Sequence, residues 1–329
     1  MDSFLFALNA IAPIIIMVII GYCLKKIGFM NETFAKMANK IVFRILLPAM
    51  LFLNVYKIDS LGSIDLGYIF YVAIALVIIF AVSVPLVIMM TKHQERRGVL
   101  LQATFRSNHA LIGLPLTEAL CGAEGVVVAT LLSAVVIPMF NVFAVISLSA
   151  FRKSGDKPSV KKILLDIIKN PLILSVLAGV VALGIRALLV KNGIDFRLSE
   201  IKPIYSVLGY LSNTATPLAL LVLGAQFEFS AVSSLRKEIV FGTLMRTVIV
   251  PVLTLGIAYI FFSNKFIGAH FAAFISVFAT PVAVSSVPMA QEMDGDSILA
   301  GQLVVWTTLL SAFSVFISTY LLRLAGIFG

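Results

Sequence analysis

The chain has 329 residues, 60% of them hydrophobic and only 12% charged, and its mean hydropathy is +1.07. A soluble globular protein is about 45–50% apolar and about 25% charged, so the polar coat of a water-soluble enzyme, a disordered regulator or a nucleic-acid binder is missing. The net charge of +9 matters in such a chain through where the basic residues lie. The two cysteines, Cys23 and Cys121, make neither a disulfide framework nor a metal site. The composition points to an all-α integral membrane protein in a lipid bilayer.

The N-terminus, Met-Asp-Ser-Phe, lacks the basic region of a cleaved signal peptide. Its apolar run over residues 4–24 matches the roughly 20 residues of a spanning helix and is read as a retained first helix. Further apolar stretches follow at 36–56, 66–90, 99–120, 124–151, 168–190, 203–226, 238–262, 268–290 and 297–325. Ten transmembrane helices, helices 1–10, put both termini on one side. The predicted cytoplasmic loops hold Lys25, Lys26, Lys36, Lys40, Lys92, Arg96, Arg97, Arg152, Lys153, Lys157, Lys161, Lys162, Lys169, Arg236 and Lys237. The other side holds Lys57, Arg186, Lys191, Arg197, Lys202, Lys265 and Arg323. Basic residues favour the cytoplasm, so a multi-pass protein of the cell membrane with both termini on the non-cytoplasmic side is expected.

The connection at 152–169 divides the chain. It opens on the polar turn Lys-Ser-Gly-Asp-Lys-Pro and continues over 159–169 with Lys161 and Lys162 set against Ile163, Leu164, Ile167 and Ile168, the pattern of an interfacial amphipathic helix. The flanking halves, 1–151 and 170–329, overlay in their prolines. Pro13 matches Pro171, Pro48 matches Pro217, Pro85 matches Pro251, and Pro115 through Gly122 lies over Pro288 through Gly295. Five helices per half is an odd number, so the second copy is inverted, an arrangement of secondary transporters.

Helix 4 carries Arg106-Ser107-Asn108-His109 directly before Gly113 and Pro115, where a missing N–H and a permissive glycine invite a break. Helix 9 carries Pro281 and Pro288 around Ser285-Ser286. A broken helix survives in hydrocarbon only when buried in protein or lining a watery cavity. Two such breaks crossing would bring half-helix N-termini together, which favours an anion. Arg106 lies deep, Arg44 and Arg246 less so, and no Asp or Glu sits comparably deep; a transported anion can supply the counter-charge, while Arg44 is expected to snorkel to the interface. Asn141, beside Pro138, is a supporting candidate. Asn54, Asn213, Thr214, Thr216 and Gln302 fit either cavity lining or inter-helix hydrogen bonds.

The segment Ser107-Asn108-His109-Ala110-Leu111-Ile112-Gly113-Leu114-Pro115-Leu116 resembles the helix-4 motif of the auxin efflux carrier family, in which Asn and then Gly-Leu-Pro-Leu are typical. Leu47-Pro48-Ala49, Thr216-Pro217-Leu218-Ala219 and Pro281-Val282-Ala283 extend the likeness along the whole chain. The resemblance, to bacterial members within the wider bile acid/arsenite/riboflavin transporter group, implies a scaffold of helices 1, 2, 6 and 7. It further implies a mobile transport domain of helices 3–5 and 8–10 with helices 4 and 9 crossing, elevator-type alternating access, and homodimers. The implied cargo is a small organic anion such as malate, malonate or an auxin-like acid. The chain departs from the pattern at His109 and Ala110, where small residues are usual, and at Ser285 or Ser286, where helix 9 usually has Asn. His109 is expected to bring a pH-dependent positive charge.

The substrate-binding candidates are therefore Arg106, Ser107, Asn108, His109, Asn141, Ser285 and Ser286, with Gly113, Pro115, Pro281 and Pro288 at the helix crossover. No enzyme motif, metal site or cofactor is expected. Export of a monoanion down a negative-inside potential gains about 2.3 kcal/mol per 100 mV and needs no coupling ion; Na+ or H+ coupling is left open. A sodium-coupled importer and a non-transporting membrane receptor are the alternatives.

Overall fold

The computed structural model describes residues 2–57, 66–152 and 160–328; the polar turn expected at 153–158 lies outside them. All regular elements among the described residues are helical. Besides the short turns Leu198–Glu200 and Ala231–Ser234, they are α1 Asp2–Lys26, α2 Glu32–Tyr56, α3 Leu66–Met90, α4 Gln94–Phe105, α5 His109–Ala150, α6 Val160–Lys169, α7 Pro171–Lys191 and α8 Lys202–Gln226. Then come α9 Arg236–Phe262, α10 Gly268–Phe278, α11 Ser286–Glu292 and α12 Ser297–Leu324. Among the described residues seven helices, α2, α3, α5, α7, α8, α9 and α12, are long and apolar enough to cross a membrane. Expected helix 4 is split between α4 and the start of α5, and expected helix 9 between α10 and α11. The expected boundary between helices 4 and 5 falls at a kink inside α5, where Cys121 and Gly122 leave helical geometry and Gly122 takes φ +57.

Prolines decide where these helices deform. Three π turns occur among the described residues, at Val42–Leu46, His109–Gly113 and Met245–Ile249. Each ends two residues before a proline: Pro48, Pro115 and Pro251. A proline offers no N–H to the carbonyl four residues back and crowds it. Those carbonyls belong to Arg44, Leu111 and Thr247, inside the three π turns, where a wider ring re-aims the side chains. Pro13, Pro85, Pro138 and Pro217 have no π turn directly before them. In the matched pairs Pro48–Pro217 and Pro85–Pro251, only one proline of each pair has a π turn before it.

Two packing groups emerge. In one, α1 lies against α8, and α2 against both α7 and α8. Here the backbones touch: a Cβ on Gly21 would stand 2.1 Å from the Leu221 carbonyl oxygen, and one on Gly224 would stand 2.0 Å from that of Val18. Small residues permit this approach where helices gain little from hydrophobic burial. In the other, α10 packs on α5, α4 on α3 and α5, and α12 on α9 and α11. Arg96 at the start of α4 joins this second group by reaching Glu238 of α9 at 2.9 Å and Asp296, the N-cap of α12, at 3.3 Å.

The groups meet through α1 and α12 and through polar bonds at the end of α11. Asn39 of α2 and Gln226 of α8 both donate to Gln291, and Arg44 pairs with Glu292 at 3.3 Å. Arg44 thus has a carboxylate partner, and its side chain remains 62% exposed. The amphipathic stretch forms α6, with Asp166 paired to Arg152 at 2.9 Å.

The α1–α8 contact yields a stability prediction. Gly224→Val is expected to lower the melting temperature in detergent by about 5 °C or more through overpacking. Gly184→Ala on α7, where an added Cβ meets nothing within 4 Å, should hold it within about 2 °C. Equal melting temperatures for the two variants would remove the close contact from the account.

Candidate functional site

The site begins with two interruptions. α4 ends at Phe105, and Arg106 turns the chain to an extended conformation, φ −83 and ψ 109. α10 ends at Phe278, and the chain runs irregularly until α11 starts at Ser286. The two irregular stretches pair as an antiparallel bridge between Ser107 and Val282. The Asn108 N–H donates to the Pro281 carbonyl at 2.8 Å, and the Ala283 N–H to that of Arg106 at 3.4 Å. The Val282 N–H donates to Thr307 Oγ1 of α12 at 3.1 Å. Backbone groups freed by breaking the helices thereby find partners inside the protein, as hydrocarbon demands.

The crossover candidates have distinct places. Pro281 supplies the carbonyl that receives Asn108. Pro115 and Pro288 lie near the starts of regular helix in α5 and α11, where a missing N–H costs little. Gly113 permits close packing of α5 on α10, since a Cβ there would be 2.8 Å from Ser276 Cβ.

Arg106 is 4% exposed and its guanidinium is spread over neutral acceptors. It donates to Gln102 Oε1 at 3.2 Å, Asn141 Oδ1 at 3.2 Å, Ser285 Oγ at 2.9 Å and Met289 Sδ at 2.8 Å. Among the described residues no carboxylate pairs with it. Asn141 is held in turn by the Ile137 carbonyl at 2.9 Å. These two candidates lie behind Ser285.

Beside the crossing is a cavity of about 520 Å³. Asn108, Ala110, Leu111, Val284 and Ser285 line one wall, and α1, α2 and α8 form the other through residues such as Pro13, Asn54, Asn213 and Thr216. Asn108 Nδ2 has no hydrogen-bond partner, and neither do the hydroxyls of Ser107 and Ser286, all three buried. Asn108 and Ser285 reach the cavity wall, whereas Ser107 and Ser286 are not among its lining residues.

His109 faces elsewhere. Its Nδ1 meets Ser276 Oγ and its Nε2 meets Ser133 Oγ, both at 2.8 Å, and the residue is 1% exposed. The ring ties α5 to α10 and stands outside the cavity lining. Among the described residues no carboxylate pairs with the ring, whose partners are two hydroxyls.

The sequence leaves Asn54, Asn213 and Thr216 open between cavity lining and helix contact, and all three line the opposing wall. The burial of one arginine escapes it. Arg246, expected to be shallower than Arg106, is fully buried at 0% exposure. The π turn Met245–Ile249 sends it beneath the crossing, and only the proline five residues on hints at that turn.

Residues 6–319 match the family described as membrane transport protein. An uncharacterized transporter of Methanothermobacter thermautotrophicus is 26% identical, over 95% of this chain and 97% of its own length. A second uncharacterized transporter, from Methanocaldococcus jannaschii, is 28% identical over 66% of this chain and 68% of its own. A match over nearly the whole chain, to a fold of interrupted and spanning helices, makes this a multi-pass membrane transporter and not an enzyme. The chain belongs to the membrane transport protein family, which is the auxin efflux carrier family.

Proposed function

We propose that this protein is a secondary carrier of a small organic anion, a carboxylate of the malate, malonate or auxin-like class, bound in the cavity beside the crossing. One observation carries the reading. Asn108, whose buried amide is unpartnered, and Ser285 line the same cavity, and Ser285 is backed by the Arg106 guanidinium at 2.9 Å. Donors without acceptors, with a cation one layer behind, form a cradle for an anion. The N-terminal turn of α5 starts at His109 and adds N–H groups without intrahelical partners. Ser107, Ser286 and Asn141 support the cradle from behind, and His109 fixes the packing of α5 on α10.

The seven long helices, α1 and the two interrupted pairs make ten crossings, read as two inverted repeats. The packing groups correspond to a scaffold of helices 1, 2, 6 and 7 and a mobile unit of helices 3–5 and 8–10. Alternating access of that unit requires the bonds from Asn39, Gln226 and Arg44 to the end of α11 to break and reform. Outward termini and a homodimer belong to the same proposal.

In a thermal-shift screen of carboxylates on purified protein, at least one cargo should raise the melting temperature. Asn108→Ala is expected to weaken that cargo about tenfold or more, and Ser285→Ala to weaken it less. Unchanged affinity in both variants would move the site elsewhere. In proteoliposomes the cargo should accumulate down an imposed potential without sodium. A strict sodium requirement would favour the importer, and binding without flux the receptor.

His109→Gln separates packing from cargo contact. It is expected to lower the melting temperature, leave cargo affinity within about twofold, and keep the parent's pH profile between about pH 6 and 7. A tenfold loss of affinity, or a profile that flattens, would put the imidazole at the cargo.

A further inference from the structure

The two interrupted helices leave a second problem beneath the crossing. The last carbonyls of a helix lack intrahelical donors, and each C-terminus carries about half a negative charge. α4 ends at Phe105 and α10 at Phe278, and both ends converge on one side chain. Arg246 Nε donates to the Thr280 carbonyl at 2.8 Å, and Nη2 to that of Val277 at 2.5 Å. Nη1 donates to the carbonyls of Phe105 at 3.2 Å and Thr104 at 3.5 Å. All these partners are backbone oxygens, two from each helix end, and the residue is wholly buried.

A cluster of backbone oxygens at converging half-helix C-termini is the type of ligand set that transporters use for a monovalent coupling cation. Here a cation is already present, covalently tethered. The repeat-related position does not duplicate it. Pro85 matches Pro251, and five residues before Pro85 stands Phe80, whose ring packs on Phe105 at 5.6 Å between centroids. One half of the molecule supplies a guanidinium and the other an aromatic contact to the same helix end.

We propose that Arg246 is a built-in cation that fills the carbonyl cage at the converging ends of α4 and α10, in the place a free coupling cation would take. The crossing therefore keeps its negative ends neutralised throughout the transport cycle without capturing an ion from either side. Deleting the guanidinium leaves a vacant cage that accepts a small guanidinium ion, or less well sodium. The inference rests on reading the crossing as the working part of a carrier. Its test needs no cargo, so it fails or stands separately from the identity of the transported anion.

Melting temperatures of purified wild type and Arg246→Ala are compared in choline chloride, sodium chloride and choline chloride containing about 20 mM methylguanidinium. The wild type should melt within about 1 °C in all three. Arg246→Ala should melt lower by about 5 °C or more in choline and regain at least half of that loss, saturably, with methylguanidinium. An Arg246→Ala protein that responds to methylguanidinium no more than the wild type does would overturn the proposal. Where Arg246→Ala does not fold, Arg246→Lys and Arg246→Met decide: a higher yield of monodisperse protein for Lys supports the cation, and equal yields or a higher yield for Met overturn it.

Discussion

Hydrocarbon supplies no hydrogen bonds, so each helix broken inside a membrane must return its freed backbone groups to the protein. The crossing meets that constraint with few parts. The Ser107–Val282 bridge and the Thr307 hydroxyl take up N–H groups in the irregular stretches, and Arg246 takes the carbonyls where α4 and α10 stop. Each partner lies on a different helix, so the break in one helix is tolerated only because the others are present. The cavity, the unpartnered Asn108 amide and the placement of Arg106 all follow from where the chain is forced out of helix.

Charge is arranged in layers around this crossing. Arg246 lies under the helix ends and is fully committed to carbonyls. Arg106 lies at the junction itself and is committed only to neutral side chains that reach the cavity through Ser285. The first cation answers a structural demand, and the second has no carboxylate partner among the described residues. That difference, between an arginine saturated by helix ends and one held by two amides, a hydroxyl and a thioether, is the physical basis for reading the cavity as an anion site.

Much of this was legible in the sequence, for identifiable reasons. Apolar length located the seven long helices found among the described residues, and Pro115, Pro281 and Gly113 lie at or beside the interruptions because a missing N–H and a missing Cβ act locally. The depth of Arg246 was not legible, since hydropathy places it near a helix start, whereas the π turn before Pro251 redirects it into the core. The orientation of His109 was equally hidden. Adjacent to Asn108, it reads as a cavity residue, yet one step along the chain turns its ring toward Ser133 and Ser276. The partnership of Arg44 with Glu292 joins residues far apart in sequence, and no local pattern records it.

The cradle exists only if the breaks in α4–α5 and α10–α11 meet. Cysteines replacing Ser107 and Val282, in a protein with Cys23 and Cys121 changed to serine, would lie within the roughly 4.5–5.5 Å of a bridged antiparallel pair, which suits a disulfide. With a protease site placed in the connection at 153–159, mild oxidation of membranes should leave the two halves joined after cleavage and separable on reduction. Halves that separate as freely as those of a control pair at Ser107 and Gly184, one on each side of the cut and with nothing within 4 Å of a Cβ at Gly184, would show that the interruptions do not cross, and the proposed anion cradle would have no foundation.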